Sequence, residues 1–492
     1  MEIKMGKNII EKTILNRVLY KVILIIALMI NTVPLFHQYV GSYVKLLLIW
    51  GIVLILWEVA SNPYGLLNTK GMNWLMAFCF SYGITILLNK DGYFSENAKA
   101  LCYMLLFFVL LYGQDLKKSI QDMKKEMHAV WGTVIVCTFI MSLICFITFL
   151  LSLSYSYKAD GASLHMGVYK NRMWGLYNPN VGATINIISL FCTILMLLEK
   201  KESGKKDSEN DKFSAKKLIK IFLNVNGILQ FACLVLTGSR TAVYAMYIGV
   251  AMLVYFLCGV IYKKKIWVKA GAAFFSIIVM MVCVGISGKL LWQLPKLFPN
   301  VTVNAAQTNG KASFILNFNR KDTTKDSTGG TLNGRQYLWV AGIDQFNDTP
   351  FFGITREKIY DEVHTRVSPD TDKKTVKFFR NSLKNGGLHN MYLTILVSSG
   401  IVGFCIFCCF MIQYFNRILW YIQRIEVLQG NEWFLGMLIL SIIILIMEMF
   451  ENRILYQVNI FYALFWMMMG YAMYFAGQKA KENKQALGNW DR

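Results

Sequence analysis

The chain has 492 residues, 55% hydrophobic and 16% charged, and its 51 Lys and Arg against 29 Asp and Glu give a formal net charge of +22. Apolar residues gathered into runs of about twenty exclude an ordinary soluble domain and fit an integral membrane protein. The positive excess does not argue for nucleic acid, because most of it lies beside the apolar runs, where anionic lipid headgroups are the nearer partner.

In chain order, the apolar runs predict helices near 19–37, 43–59, 72–88, 99–113, 129–151, 181–198, 218–237, 241–261, 267–288, 391–412, 433–450 and 455–476. The expected fold class is an all-α polytopic membrane protein with about twelve transmembrane helices and one large outer loop between helices 9 and 10. Basic residues gather in the connections: Lys4, Lys7, Lys12 and Arg17; Lys117, Lys118, Lys124 and Lys125; Lys200 to Lys217; Lys263 to Lys265; and Lys479, Lys481 and Lys484. With twelve spans all of these fall on one side, which the positive-inside rule makes the cytoplasm. The chain then divides into helices 1–9 with a cytoplasmic N-terminus (1–288), a large extracytoplasmic loop (289–388), helices 10–12 (389–476) and a cytoplasmic tail (477–492). No small-residue cleavage pattern follows the first apolar run, so it reads as an uncleaved anchor.

All eleven cysteines sit inside apolar runs, so neither a disulfide framework nor a zinc site is implied, and the adjacent Cys408 and Cys409 read as packing residues. Lys201 to Lys217 is a solvated charge run. A loop near 152–180 ends in Asn178-Pro179-Asn180, a turn and helix-entry signal. The turn Thr237-Gly238-Ser239-Arg240-Thr241 holds Arg240 close to the bilayer surface. Within the large loop, Gln307 to Gly334 has few apolar residues and reads as mobile. Arg335 to Phe346 reads as a helix with Leu338, Ala341 and Ile343 near one face, ended by Pro350-Phe351-Phe352-Gly353.

His389 is the histidine best placed for acid–base work, in the run Gly386-Gly387-Leu388-His389-Asn390 at the mouth of the tenth helix. If Asn390 caps that helix, its positive N-terminal end disfavours an imidazolium and helps keep a neutral base for a sugar hydroxyl. The plain alternative is an interfacial polar residue that satisfies local backbone groups. On a continuous helix, Gly400 and Gly403 lie within about 40° of the His389 face and let a neighbour approach, or serve packing alone. Arg172, Arg240 and Arg335 suit a phosphate or pyrophosphate, although interfacial arginines also contact lipid phosphate. Glu448 and Glu451, with Arg453 close by, read as a structural ion pair or as groups that orient the site. No phosphate-binding Gly-Lys-Ser/Thr loop and no His-Glu-x-x-His occurs, so ATP hydrolysis and zinc catalysis lack support, and Asp91 with Glu96 is weak evidence for a divalent metal.

His389-Asn390 followed by Gly400 and Gly403, together with Thr237-Gly238-Ser239-Arg240, Arg172 through Asn180, and Arg335 with Trp339 leading to Pro350-Phe351-Phe352-Gly353, resembles the O-antigen ligase/polymerase family of bacterial envelope glycan enzymes. The resemblance implies an inverting, metal-independent and cofactor-free transfer from an undecaprenyl-pyrophosphate-linked glycan to a glycan or lipid-linked acceptor. It implies a base matching His389 and a pyrophosphate held by arginines matching Arg240 and Arg172. Arg335 and Asn390 join the expected substrate-binding set, and Gly400, Gly403, Glu448 and Glu451 the orienting set. The resemblance further implies a multi-pass protein of the bacterial cytoplasmic membrane, with its site on the outer face and partners among membrane lipid and envelope polysaccharide assembly proteins. Tyr244 and Ile354-Thr355 depart from the ligase pattern, and the abundance of Lys, Ile and Asn leans toward polymerase. The rival class is a transporter or flippase for lipid-linked sugars, which predicts midplane charges and paired broken helices. A metal-dependent transferase using Asp91 or Glu96 is the third option.

Overall fold

Each long apolar run folds as a helix, because only internal hydrogen bonding satisfies a backbone that lies in hydrocarbon. The computed structural model describes residues 13–61, 65, 68–90, 92–159, 162–169, 172–198, 209–262, 265–298, 335–367, 376, 379–380, 382–384, 387–422 and 432–488. The expectations for Lys4 to Lys12, Lys200 to Lys206, Lys263, Lys264, Gln307 to Gly334, Asp91 and Gly386 lie outside the described residues.

The helices are α1 (Arg17–Asn31), α2 (Pro34–Ser61), α3 (Met72–Leu88), α4 (Phe94–Phe107, continued by a π-helical turn Phe108–Tyr112), α5 (Ile120–Leu150), α6 (Pro179–Leu198) and α7 (Glu209–Thr237). They continue as α8 (Arg240–Tyr262), α9 (Ile266–Leu291), α10 (Arg335–Asp348), α11 (Ile359–Val363), α12 (Met391–Ile422), α13 (Glu432–Met447) and α14 (Ile460–Gly488). Among the described residues, nine stretches are long and apolar enough to cross a bilayer, while α3 and the Trp433–Met447 part of α13 are apolar but shorter. This is a helical polytopic membrane architecture. The last span begins at Ile460 rather than at 455, which leaves an irregular segment, 448–459, between α13 and α14. In α14 94% of the most apolar window is buried, against 6% in α9, so α14 runs through the middle of the bundle and α9 along its edge.

Two stretches depart from the helical expectation. The loop before α6 folds into a three-stranded antiparallel sheet, β1 (Ser154–Ala159), β2 (Ala162–Tyr169) and β3 (Arg172–Gly175), in the order β1-β2-β3. The second is inside α12. Gly400 has φ 64° and ψ −174°, a conformation open essentially to glycine alone, and it divides α12 into a short N-terminal half and a long C-terminal half. The segment after α10 fills the break: Ile401 N donates to Pro350 O (2.8 Å), Val402 N to Phe351 O (3.2 Å), Ile354 N to Val397 O (3.0 Å) and Thr355 N to Ser398 O (3.0 Å). Two N–H groups and two carbonyls of α12 at the break thereby gain partners near the membrane. The expectation that Gly400 and Gly403 share the His389 face of one continuous helix is corrected by this break. In α10, Leu338 and Ala341 are buried as expected, but Ile343 is exposed and Gln345 takes the inward position, because 343 falls about 140° from the Leu338 face.

Buried polar contacts fasten the helices to one another. Lys21 Nζ and Lys118 Nζ each lie 2.5 Å from Glu126, and Tyr471 OH donates to the same carboxylate (3.0 Å), which joins α1, α5 and α14. Arg17 donates to the carbonyls of Val109, Leu110 and Gly113 at the end of the π turn. Across α5, α6 and α7 a second chain runs from Ser142 to Gln230 (3.0 Å), from Gln230 to Asn226 (3.0 Å) and from Asn226 to Thr193 (2.7 Å).

Candidate active site

The candidate site gathers where β3, the start of α6, the α7–α8 turn, the start of α10, the start of α12 and the α13–α14 segment meet. Its centre is the turn that leads into α12. Gly387 and His389 both adopt left-handed backbone, φ 62° and 48°. That is ordinary for glycine and uncommon for histidine, and such strain concentrates where the surroundings hold a functional side chain in place. The surroundings here are specific. Trp339 Nε1 donates to Leu388 O (3.0 Å), Gly387 N to Leu383 O (2.8 Å), and Met391 N to Glu448 O (2.9 Å). Asn390 Oδ1 accepts from Leu393 N (3.0 Å) and so caps the short half of α12. His389 therefore sits one residue ahead of a capped helix N-terminus.

The His389 ring faces a carboxylate on one edge and a hydroxyl on the other. Nδ1 lies 3.7 Å from Glu451 Oε2, too far for a direct hydrogen bond, and has no hydrogen-bond partner. Nε2 lies 3.3 Å from Ser382 Oγ. The ring is 20% exposed, enough for a substrate group to reach it.

Glu451 joins the remaining groups. Its Oε1 accepts from Asn180 Nδ2 (3.2 Å) and lies 3.7 Å from Arg335, the first residue of α10. Asn180 Oδ1 accepts from Arg172 Nη2 (3.1 Å), and Arg172 Nε donates to Thr237 O (2.7 Å). Gly238, φ 61°, follows that carbonyl and lies against the Arg172 side chain, where a Cβ would come within 3.7 Å of it. Arg240 opens α8 two residues later, in the same turn. Burial alone would raise the Glu451 carboxyl, but Arg453, His389 and Arg335 together outweigh it and hold the group down at about 2. Burial also opposes the charge on Arg335 and shifts it downward, against the support of Glu451.

The two glutamates divide their tasks. Glu448 receives the backbone N–H of Arg453 (2.5 Å) and its Nε (3.4 Å), closing the α13–α14 segment on itself, while Glu451 reaches His389. Arg453 continues to Thr184 Oγ1 (3.2 Å) and lies over the Phe461 ring. Gly400 belongs to the break in α12, and Gly403 packs against Ser399 and Phe78 rather than beside His389. Asn180 and Ser382 were not singled out by sequence. In the sequence Asn180 is part of a helix entry and the end of the Arg172–Asn180 stretch, with no role of its own; the helix entry is present, since Pro179 starts α6 and Asn178 Oδ1 accepts from Asn180 N (2.9 Å). Ser382 carries no sequence signal.

Among the described residues no group of three or more His, Cys, Asp or Glu is placed to hold a metal ion. Glu96 lies 3.9 Å from Lys99, and Asp91 is outside the described residues. Chemically, the assembly offers an imidazole backed by an ionised carboxylate and two guanidinium groups tied to that same carboxylate.

Comparison with known proteins adds one finding. Residues 225–408 match the family model described as O-antigen ligase, a stretch that contains Arg240, Arg335, His389, Asn390, Gly400 and Gly403 but neither Arg172 nor Glu451. No curated protein matches the chain.

Proposed function

We propose, from the match of residues 225–408 to the O-antigen ligase model, that this chain is a membrane glycosyltransferase acting on an undecaprenyl-pyrophosphate-linked glycan at the outer face of the bacterial cytoplasmic membrane. An acceptor hydroxyl approaches His389 Nε2 at the edge where Ser382 Oγ now sits. The imidazole takes the hydroxyl proton as the oxygen bonds to the anomeric carbon. The bond from that carbon to the diphosphate breaks on the opposite side, so the configuration inverts, and the charge that develops on the departing diphosphate falls to the arginines. Glu451, 3.7 Å from Nδ1, stabilises by its charge the imidazolium formed. Arg172, Arg240 and Arg335 are the diphosphate-binding groups, and the acceptor is a second lipid-linked unit, which makes the enzyme a polymerase.

The observation that carries this reading is the convergence on Glu451 of His389 and Arg335 directly, and of Arg172 through Asn180, from positions far apart in sequence. The flippase reading has less support: the charges assembled here lie at helix ends, and the break in α12 is filled by the chain's own backbone. The test is to express His389→Ala and Arg240→Ala in a host lacking its own enzyme and to examine the glycan. Single units accumulating on lipid carrier at unchanged protein abundance are expected. Normal glycan from both variants overturns the site assignment.

A further inference from the structure

Two hydrogen-bond donors outside the Glu451 assembly converge on Gly387, two residues before His389. A Cβ on Gly387 would meet Asn452 Nδ2 at 2.6 Å and Arg356 Nη2 at 3.3 Å, so only glycine lets both donors pack this closely against the His389 turn. Asn452 is 94% buried, being 6% exposed, and its Nδ2 has no hydrogen-bond partner. Among the described residues no carboxylate is paired with the Arg356 guanidinium. Buried donors without acceptors are costly, and one adjoining a guanidinium at a site mouth calls for an oxyanion.

The position of Arg356 is built rather than incidental. Arg356 N donates to Tyr82 OH (3.2 Å), Glu357 N to Asn97 Oδ1 (3.3 Å), and Tyr82 OH to that same Oδ1 (2.9 Å). Thr355 just before it has φ 70°, strained for a β-branched residue, and is held by Ser398 O in the break of α12. Arg356 thus reaches the His389 turn from α3 and α4, whereas Arg172 and Asn180 reach it from the β3, α6 and α7 side. Two cationic groups supplied by different elements suit two different anions.

We propose that Arg356 and Asn452 form a second oxyanion subsite beside Gly387, one that holds the acceptor while the diphosphate of the donor occupies the Arg172 and Arg335 side. The assignment of sides rests on the proposed function. The oxyanion is either a carboxylate carried by an acidic sugar or the diphosphate of the acceptor's own carrier lipid.

Binding separates the subsite from the reaction. Purified wild type, Arg356→Gln, Gly387→Ala, Arg172→Gln and His389→Ala are titrated in nanodiscs with two probes, a hexuronic acid disaccharide and undecaprenyl diphosphate. The expected result is at least tenfold weaker binding of one probe at the subsite in Arg356→Gln and in Gly387→Ala, which displaces Asn452 Nδ2 with the charge kept; His389→Ala binds as wild type, and Arg172→Gln leaves the disaccharide unchanged and removes only the separate donor-side phase of lipid binding. Response of the disaccharide identifies a sugar carboxylate, and response of the lipid identifies a carrier diphosphate. Wild-type affinity of Arg356→Gln for both probes overturns the subsite, as does loss in Arg172→Gln of the same binding phase that Arg356→Gln loses. A wild type that binds through Arg356 yet transfers no glycan refutes the proposed function and leaves the subsite standing.

Discussion

Replacing Gly400 by alanine tests the broken helix, on which the placement of both the loop and the His389 turn depends. Its backbone, φ 64° and ψ −174°, lies where a side chain costs about 1–3 kcal/mol. The added Cβ would in addition be driven into the carbonyl and the following N–H of the Phe351–Phe352 peptide. Relief requires the 350–355 segment to withdraw, which puts at risk the four backbone hydrogen bonds that now fill the break. At about 1–3 kcal/mol for each buried group left unpaired, and with partial relaxation, the total is about 5 kcal/mol. Gly403→Ala keeps helical backbone, but its Cβ would meet Ser399 Cβ at 2.4 Å and force a local shift costing about 1–3 kcal/mol, less than Gly400→Ala because neither the left-handed backbone nor the loop hydrogen bonds are involved. The assay is thermal unfolding in nanodiscs together with limited proteolysis of the 350–355 segment. Gly400→Ala is expected to melt well below Gly403→Ala and to be cut there. Equal melting and equal resistance in the two variants would refute the reasoning.

Glu451 is held at about 2 against its ordinary 4.5, so its stabilisation is fully present above about pH 4.5 and is lost as pH falls toward 2. Thermal melts of wild type should therefore fall more steeply over that window than those of Glu451→Gln; parallel curves would argue against the charge assembly. Glu126→Ala strands Lys21 and Lys118 without their carboxylate and should destabilise by about 3–5 kcal/mol, whereas Lys21→Met combined with Glu126→Leu should recover much of the loss. A double variant no better than Glu126→Ala would show that the pair does more than balance charge. Asn180→Ala should reduce transfer about as much as Arg172→Ala, with the two together little worse than either, because they form one chain to Glu451; fully additive losses would separate them.

The helices were legible because bilayer-length apolar runs admit few other structures, and His389, Arg335 and Glu451, which the structure brings together, stand out as polar groups at the ends of such runs. Geometry between distant residues was not legible. Nothing in the apolar pattern of 391–412 marks the break at Gly400, since the run continues unchanged through it; the cause lies in a loop fifty residues earlier. The sheet did leave a trace in the alternation Ser154-Tyr155-Ser156-Tyr157, a period of two too short to outweigh the turn signals around it. Glu448 and Glu451 were seen as a pair, but which of them faces His389 is set by how the α13–α14 segment folds back through Arg453. Arg356 carried no signal, because its meaning comes from Gly387 and Asn452.

The most direct test of the account is the initial rate of glycan transfer by purified protein reconstituted with lipid-linked donor and acceptor, compared between wild type and His389→Ala at matched donor occupancy. Loss of a general base predicts a rate lower by about 10²–10⁴-fold with donor affinity retained. A His389→Ala rate within a few-fold of wild type would contradict the claim that this imidazole takes the acceptor's proton.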